Sequence, residues 1–294
     1  MPSRPVLSSL CSCSCRVLLA VALAAGCGRV GFNLDSAQDA SVGVDAAAST
    51  DASARPPLVD DGLVVRYFLD EEVSEGTVAS SNGLLDLSVE DAATGVVSEE
   101  LATGRGFRFT SVSSNGRACA PIDGTPVFEA LQGSRTGTIE VVADIVAGDS
   151  SRSRLAAIGV NGAWSFSAGY SSNDTSFVFS MNRTNEEYGV WVLDAATQGR
   201  VVYTFVFDSE QPAPEDRIKM FIDGARIPLA THAVPIALDE GLKLGDPMLC
   251  IGNRGNGSRS PEGAIYYAAF YAVALTSSAI MENASRLLVH DDPP

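Results

Sequence analysis

The 294-residue sequence predicts an all-β fold, an antiparallel β-sandwich, and three observations carry that prediction. In the stretch 217–222, Ile218, Met220 and Ile222 alternate with Arg217 and Lys219, the two-residue period of a half-buried strand. Asp223-Gly224 follows, the residue types that most readily take the positive φ angles of a two-residue hairpin. Upstream, Val201-Val-Tyr-Thr-Phe-Val-Phe207 is apolar on both faces, as a strand in a sheet covered on both sides should be.

The remaining elements follow in order. Residues 62–71 read as an opening strand, 106–109 as another, and 117–122 as a third after a turn-rich Ser113-Ser-Asn-Gly116. Residues 137–146 form a long central-strand candidate. Residues 155–160 and 164–168 flank Asn161-Gly162, a hairpin signal. Strands at 176–181 and 189–193 precede the pair already described. Leu249 to Gly252 is a short strand ending in a Gly/Asn loop, and 263–271 is the last strand. Thr276 then caps a short helix that places Ile280, Ala284 and Leu287 on one side.

Ahead of these elements the composition differs. Arg4 and Arg16 are the only charges before the ten-residue apolar run Val17 to Gly26, too short to span a bilayer and suited to a signal-peptide core. The run ends in Leu23-Ala-Ala-Gly-Cys27, which resembles the lipobox of bacterial lipoproteins, with Ala24 where Leu is usual. That resemblance implies residues 1–26 as a signal peptide and Cys27 as a lipidated N-terminus. It further implies export and anchorage to the bacterial cell envelope, at the outer membrane or cell surface, without a spanning helix. Ordinary signal cleavage at the same Ala-rich site is the alternative. Cys11, Cys13 and Cys15 fall within the signal and lack the Cys-x2-Cys spacing of a zinc knuckle. Residues 27–57 are rich in Ser, Ala, Gly and isolated Asp, a composition that cannot bury enough surface to offset ordering entropy. They read as a disordered tether, leaving 58–294 as the folded domain.

A net charge of −16 without a Lys/Arg patch excludes nucleic acid as a partner. Once the signal is removed and Cys27 acylated, Cys119 and Cys250 are the only cysteines of the folded region. In an oxidising compartment an even pair is expected to bridge, with two separate buried thiols as the alternative.

The order of strands resembles the laminin-G-like, concanavalin A-like lectin/glucanase jelly rolls. The likeness rests on Gly62 to Glu71 as opening strand, Thr138 to Ile145 as a "T-x-E-x-W" strand without its Trp, Arg217 to Gly224 as the "R-x-Y-x-D-G" hairpin, and Ile265 to Ile280 as the closing strand and helix. In that family an acidic pair follows the Ile of the closing strand, where one member can help hold calcium; here Tyr266 and Tyr267 occupy those places. Asp70 and Asn82 remain as oxygen donors without a dense Asp/Asn cluster around them, so no cofactor is expected, with bound calcium as the alternative.

Catalysis is not expected either. Glycosidases of this fold carry Glu-x-Asp-x-x-Glu on one strand, whereas Glu140 and Asp144 lack the intermediate acid and the final Glu. Residues four apart on a strand also lie well beyond the ~5 Å that a retaining pair of carboxyls needs. Asp70, Glu71, Glu72 and Glu75 follow a strand and read as solvated charge. His232 and His290 stand alone, without a Gly-x-Ser-x-Gly or His-Glu-x-x-His motif. A non-catalytic, lectin-like glycan-binding module is the leading expectation, and a protein-binding or structural surface module the alternative. Stacking and hydrogen-bonding groups for a sugar would be Trp191, Tyr188 and Asn185, with Tyr170 and Asn173 nearby. Trp164, Phe166 and Trp191 equally suit strand positions in a core.

Overall fold

The computed structural model describes residues 57–69, 76–90, 96–101, 104–110, 115–147, 153–160, 163–171, 175–184, 189–193, 199–230, 235–245, 247–255, 257 and 259–289. All of them belong to the second of two compact units, Ser53–Pro294. The signal segment, Cys27 and nearly all of the tether lie outside the described residues.

The first part of this unit runs β1 (Leu63–Phe68), β2 (Thr77–Val78), β3 (Leu87–Glu90), β4 (Val96–Leu101), β5 (Gly104–Phe109), β6 (Arg117–Pro121), the short helix α1 (Pro126–Leu131) and β7 (Thr136–Ala147). There follow β8 (Ser153–Val160), β9 (Ala163–Ser171), β10 (Ser176–Thr184), β11 (Gly189–Val192) and β12 (Val201–Asp208). The last elements are β13 (Ile218–Ile222), β14 (Ala225–Ile227), β15 (Met248–Ile251), β16 (Glu262–Tyr271) and α2 (Ser277–Leu287). They make two antiparallel sheets of eight strands each. The first has the order β14-β13-β12-β7-β16-β5-β4, with β1 also on β16; the second has β11-β10-β9-β8-β15-β6-β3-β2. The all-β sandwich with a C-terminal helix is therefore the observed fold.

Between the sheets, alternate residues of each strand interlock: Ile139, Val141 and Ala143 of β7, Tyr203, Phe205 and Phe207 of β12, and Phe166, Ala168, Phe177 and Phe179 of β9 and β10. Phe166 meets Phe179 and Phe207 edge-on at centroid distances of 5.7 and 5.5 Å, the geometry that the ring quadrupole favours. Strand β12 has its other face covered as well. Val202 and Val206 join Phe221, Tyr266 and Tyr267 in a second cluster with Ile280, Ala284 and Leu287 of α2. The apolar reading of both β12 faces thus corresponds to a third layer, the helix.

Asp223 and Gly224 take φ of 50° and 81°, and Ile222 pairs Ala225 across them, as the hairpin signal predicts. Arg217 differs from expectation. It precedes β13 and is buried, donating to the carbonyls of Gln211, Ile236 and Pro212 at 2.7, 2.7 and 2.9 Å, so its charge organises a loop rather than facing solvent. Three strands and one helix carried no strong pattern in sequence: β2, β3, β4 and α1. A helix-start signal for α1 was present, since Thr125 accepts from the Phe128 N–H with Pro126 in the first turn. Asn161-Gly162 lies outside the described residues, although Val160 pairs Ala163 on either side of it.

A disulfide joins Cys119 and Cys250, which face each other directly in the β6–β15 register with Cα atoms 4.2 Å apart. Their strand neighbours Ala118, Ala120, Leu249 and Ile251 belong to the intersheet core. By alternation the bridge lies on the outer face of the second sheet.

Candidate functional site

A row of side chains crosses the outer face of the first sheet. Arg66 of β1 pairs with Ala269 of β16, Ala269 with Glu140 of β7, and Glu140 with Thr204 of β12. A shift of register between Ile265 and Tyr267 puts a bulge in β16. The bulge reverses the phase of alternation: Ile265 belongs to the intersheet core, Tyr266 and Tyr267 both belong to the outer cluster, and Ala268 is back in the core. Tyr267 and Tyr271 consequently flank Ala269 on the same face, and its small side chain leaves the space into which they lean.

The result is a closed polar cluster. Arg66 donates through Nε to Tyr267 Oη at 3.1 Å and through Nη2 to Tyr271 Oη at 3.4 Å. Both phenols donate onward to Glu140 Oε2, at 3.3 and 3.4 Å, and Asn283 Nδ2 of α2 adds a third donor at 3.2 Å. Asn283 Oδ1 accepts from the Val59 N–H at 2.8 Å, while Arg66 Nη1 pairs with Asp60 at 2.8 Å. The segment entering β1, the helix α2 and three strands therefore meet at one carboxyl group. Glu140 has no exposed surface, and burial pushes its pKa up to about 7. The positive charge of Arg66 and the hydrogen bonds from Tyr267, Asn283 and Tyr271 offset only part of that cost. Burial, reinforced by neighbouring negative charge, holds Tyr267 and Tyr271 well above the usual phenol range, so both stay protonated donors.

Chemically, the cluster joins a buried carboxyl to a guanidinium through two phenols that hydrogen-bond to both. Ile280, Asn283, Ala284 and Leu287 of α2 pack over this face of the sheet, so a substrate reaches it only if the helix moves. Asp144 stands apart, accepting from the Gly199 N–H at 3.1 Å. The tyrosine that replaces the first acid of the family's pair, Tyr266, lies under the Arg200 guanidinium, 4.8 Å from the ring centroid. The second, Tyr267, is committed to Glu140. Asn82 donates its amide to the Val64 carbonyl at 2.9 Å, and Asp70 lies outside the described residues. No group of three metal-ligating side chains occurs among the described residues.

Of the five residues considered for sugar binding, Tyr170 and Trp191 are among the described residues. Tyr170 and Trp191 are buried at 5% and 1% exposure, Tyr170 against Phe177 and Trp191 edge-on to Phe205, which takes both out of reach of a ligand. Asn173, Asn185 and Tyr188 lie outside the described residues. The β9–β10 and β10–β11 connections that carry them leave from opposite ends of β10, Ser176 and Thr184, roughly 25 Å apart at about 3.3 Å per residue. No linear pattern marks Arg66, Tyr267, Tyr271 and Asn283 as a group. The usable signal was a lone Arg in the apolar stretch 63–68 and a lone Glu in the apolar stretch 139–143, two opposite charges each in need of a partner.

Fold and cluster together define an antiparallel β-sandwich with a polar cluster buried between its first sheet and a helix. No known family model matches the sequence, and comparison with curated proteins finds no match. Solved structures do superpose on it. The binding domain of botulinum neurotoxin DC in complex with rat synaptotagmin II has a TM-score of 0.56 at 15% identity, over 78% of this chain and 52% of that one. The same domain in complex with SialylT has a TM-score of 0.55 at 16% identity, with the same coverage. Trypanosoma rangeli sialidase in complex with sialic acid has a TM-score of 0.52 at 18% identity, over 79% of this chain and 34% of that one. The chain thus spans about a third of the length of the sialidase and half that of the toxin domain.

These likenesses show the fold. They also correct the expectation that the chain is not an enzyme, because chains that share its sandwich include sialidases. That expectation rested on linear motifs. The carboxyl, phenols and guanidinium that meet around Glu140 come from positions 66, 140, 267, 271 and 283, and no motif search along one strand can register such a cluster.

Proposed function

We propose that the sandwich is a glycan-binding module, carried on a lipid anchor at Cys27 and the tether of residues 27–57. The observation that supports the glycan reading is the shared fold: superposable chains are described in complex with sialic acid and with SialylT. With Tyr170 and Trp191 committed to the core, the ligand groups lie on loops, and Asn185 with Tyr188 on the β10–β11 connection form the leading pair. The ring of Tyr188 would stack on a sugar face while the amide of Asn185 bonds hydroxyls. The test is a glycan array of sialylated and neutral oligosaccharides probed with the purified chain, with release of free sugar followed in the same samples. Binding weakened tenfold or more in Tyr188→Ala is the expected outcome, and a blank array would refute it.

A protein ligand is the second reading, favoured by the toxin binding domain in complex with synaptotagmin. A blank array together with capture of a single extracellular protein would support it. Anchorage is checked separately. Cys27→Ala should release the chain from the membrane fraction, and unchanged detergent partitioning would remove the anchor from the proposal.

A further inference from the structure

Around Glu140, residues from four strands, α2 and the segment before β1 are tied together, and the last two make no ladder across it. Helix α2 reaches it through Asn283, and the segment before β1 reaches it through the Val59–Asn283 and Asp60–Arg66 contacts. The rest of α2 is held by the burial of Ile280, Ala284 and Leu287 and by the close fit of Met281 over Gly224. A helix of eleven residues is marginal without its partner surface, so α2 can lift without breaking any strand pairing. Lifting it would expose Glu140 to water.

We propose that Glu140 is a pH-responsive latch, by which protonation of its carboxyl holds α2 and residues 58–60 down on the first sheet and ionisation loosens them. The groups that face it are Arg66 from β1, Asp60 from the entering segment, Tyr267 and Tyr271 from β16, and the neutral Thr204 and Asn283 from β12 and α2. Arg66 and the phenols keep their protons throughout the range that matters, which leaves Glu140 as the titrating carboxyl of the buried cluster. Burial favours its neutral form, and the docked state therefore binds the proton more tightly than the lifted state. A raised pKa of this kind gives stability that is complete below the ordinary carboxyl value, 4.5, and is lost as pH rises to about 7. One proton is released per opening across that window, so the opening constant of α2 should rise about tenfold per pH unit and level off above it. Thr204 Oγ1 donates to Glu140 Oε1 at 3.5 Å and completes the shell around the carboxyl.

The experiment is hydrogen exchange of the full chain between pH 5 and pH 8, corrected for intrinsic rates, comparing α2 with β7 and β12. The expected result is a loss of α2 protection of about tenfold per pH unit up to pH 7, with the two strands steady, and no such slope in Glu140→Gln. Three results would overturn the latch: a flat wild-type profile, an equal slope in Glu140→Gln, or strands losing protection in parallel with α2. Should the variant not fold, a carboxyl carbon titration of the wild-type chain decides the matter. Ionisation of Glu140 near 7 supports the latch, and ionisation near 4.5 rejects it.

Discussion

Ala269 is the smallest side chain in the row across the first sheet, and its size governs how Arg66 and Glu140 interact. The two charges sit two strands apart, and the phenols of Tyr267 and Tyr271 fill the intervening space and relay between them. Charge on Arg66 is the largest influence lowering the pKa of Glu140, opposing the larger effect of burial. Arg66→Met should therefore raise that pKa further and destabilise the fold unequally with pH. At pH 8 the carboxyl must keep its proton or ionise without that charge, which adds at most about 1.4 kcal/mol to the loss for a group that otherwise ionises near 7. At pH 5 the neutral acid needs no counter-charge, and the loss should shrink to that of the packing and hydrogen bonds of the Arg side chain. Urea unfolding at the two pH values measures the difference, and equal losses at both would contradict this account of the cluster.

At the scale of elements, α2 depends on its first turn as well as on its buried face. The Thr276 side chain accepts from the Ala279 N–H, and Leu275 N–H is bound to Thr138 Oγ1 at 3.1 Å, which fixes where the helix starts. Thr276→Ala should cost about 1 kcal/mol. The loss should appear as faster exchange along α2 before any change in the sheets. Helix and cap were legible in sequence because both signals are local: a capping Thr, then Ile280, Ala284 and Leu287 at helical spacing. Strands β7, β12, β13 and β16 were legible for the same reason, each carrying its own apolar pattern. The short strands β2 and β3 were not, since a partner strand rather than their own residues defines them. The Glu140 cluster was hidden for a further reason. Its members approach only because a bulge in β16 turns Tyr267 and Tyr271 onto the same face as Glu140, and bulges leave no reliable mark in a single sequence. Aromatic residues misled in the opposite direction. Tyr170 and Trp191 look alike whether they stack on a sugar or fill a core, and burial decides for the core.

For the whole molecule, a narrow structural joint lies in the middle of the second sheet. Strand β15 has only four residues, yet it alone connects the half formed by β8 to β11 with the half formed by β2, β3 and β6. It pairs three residues with β8 and four with β6, and the Cys119–Cys250 bridge secures the second of these seams. The bridged residues are 131 apart in sequence, for which the loop-entropy relation gives roughly 5 kcal/mol, before residual structure in the unfolded chain reduces it. Both sulfur-bearing residues are nearly fully buried, so replacing the pair with Ala also removes packing against Ser88 and Ala157, their neighbours across the sheet. The double variant Cys119→Ala/Cys250→Ala should lose about 2–5 kcal/mol in denaturant unfolding. The loss should also be uneven in space. Amides of β2, β3 and β6 should lose hydrogen-exchange protection before those of β8 to β10, because the latter remain joined through the long β8–β9 and β9–β10 ladders. A uniform loss across both halves would show that β15 is held by its hydrogen bonds and core contacts alone, without need of the bridge.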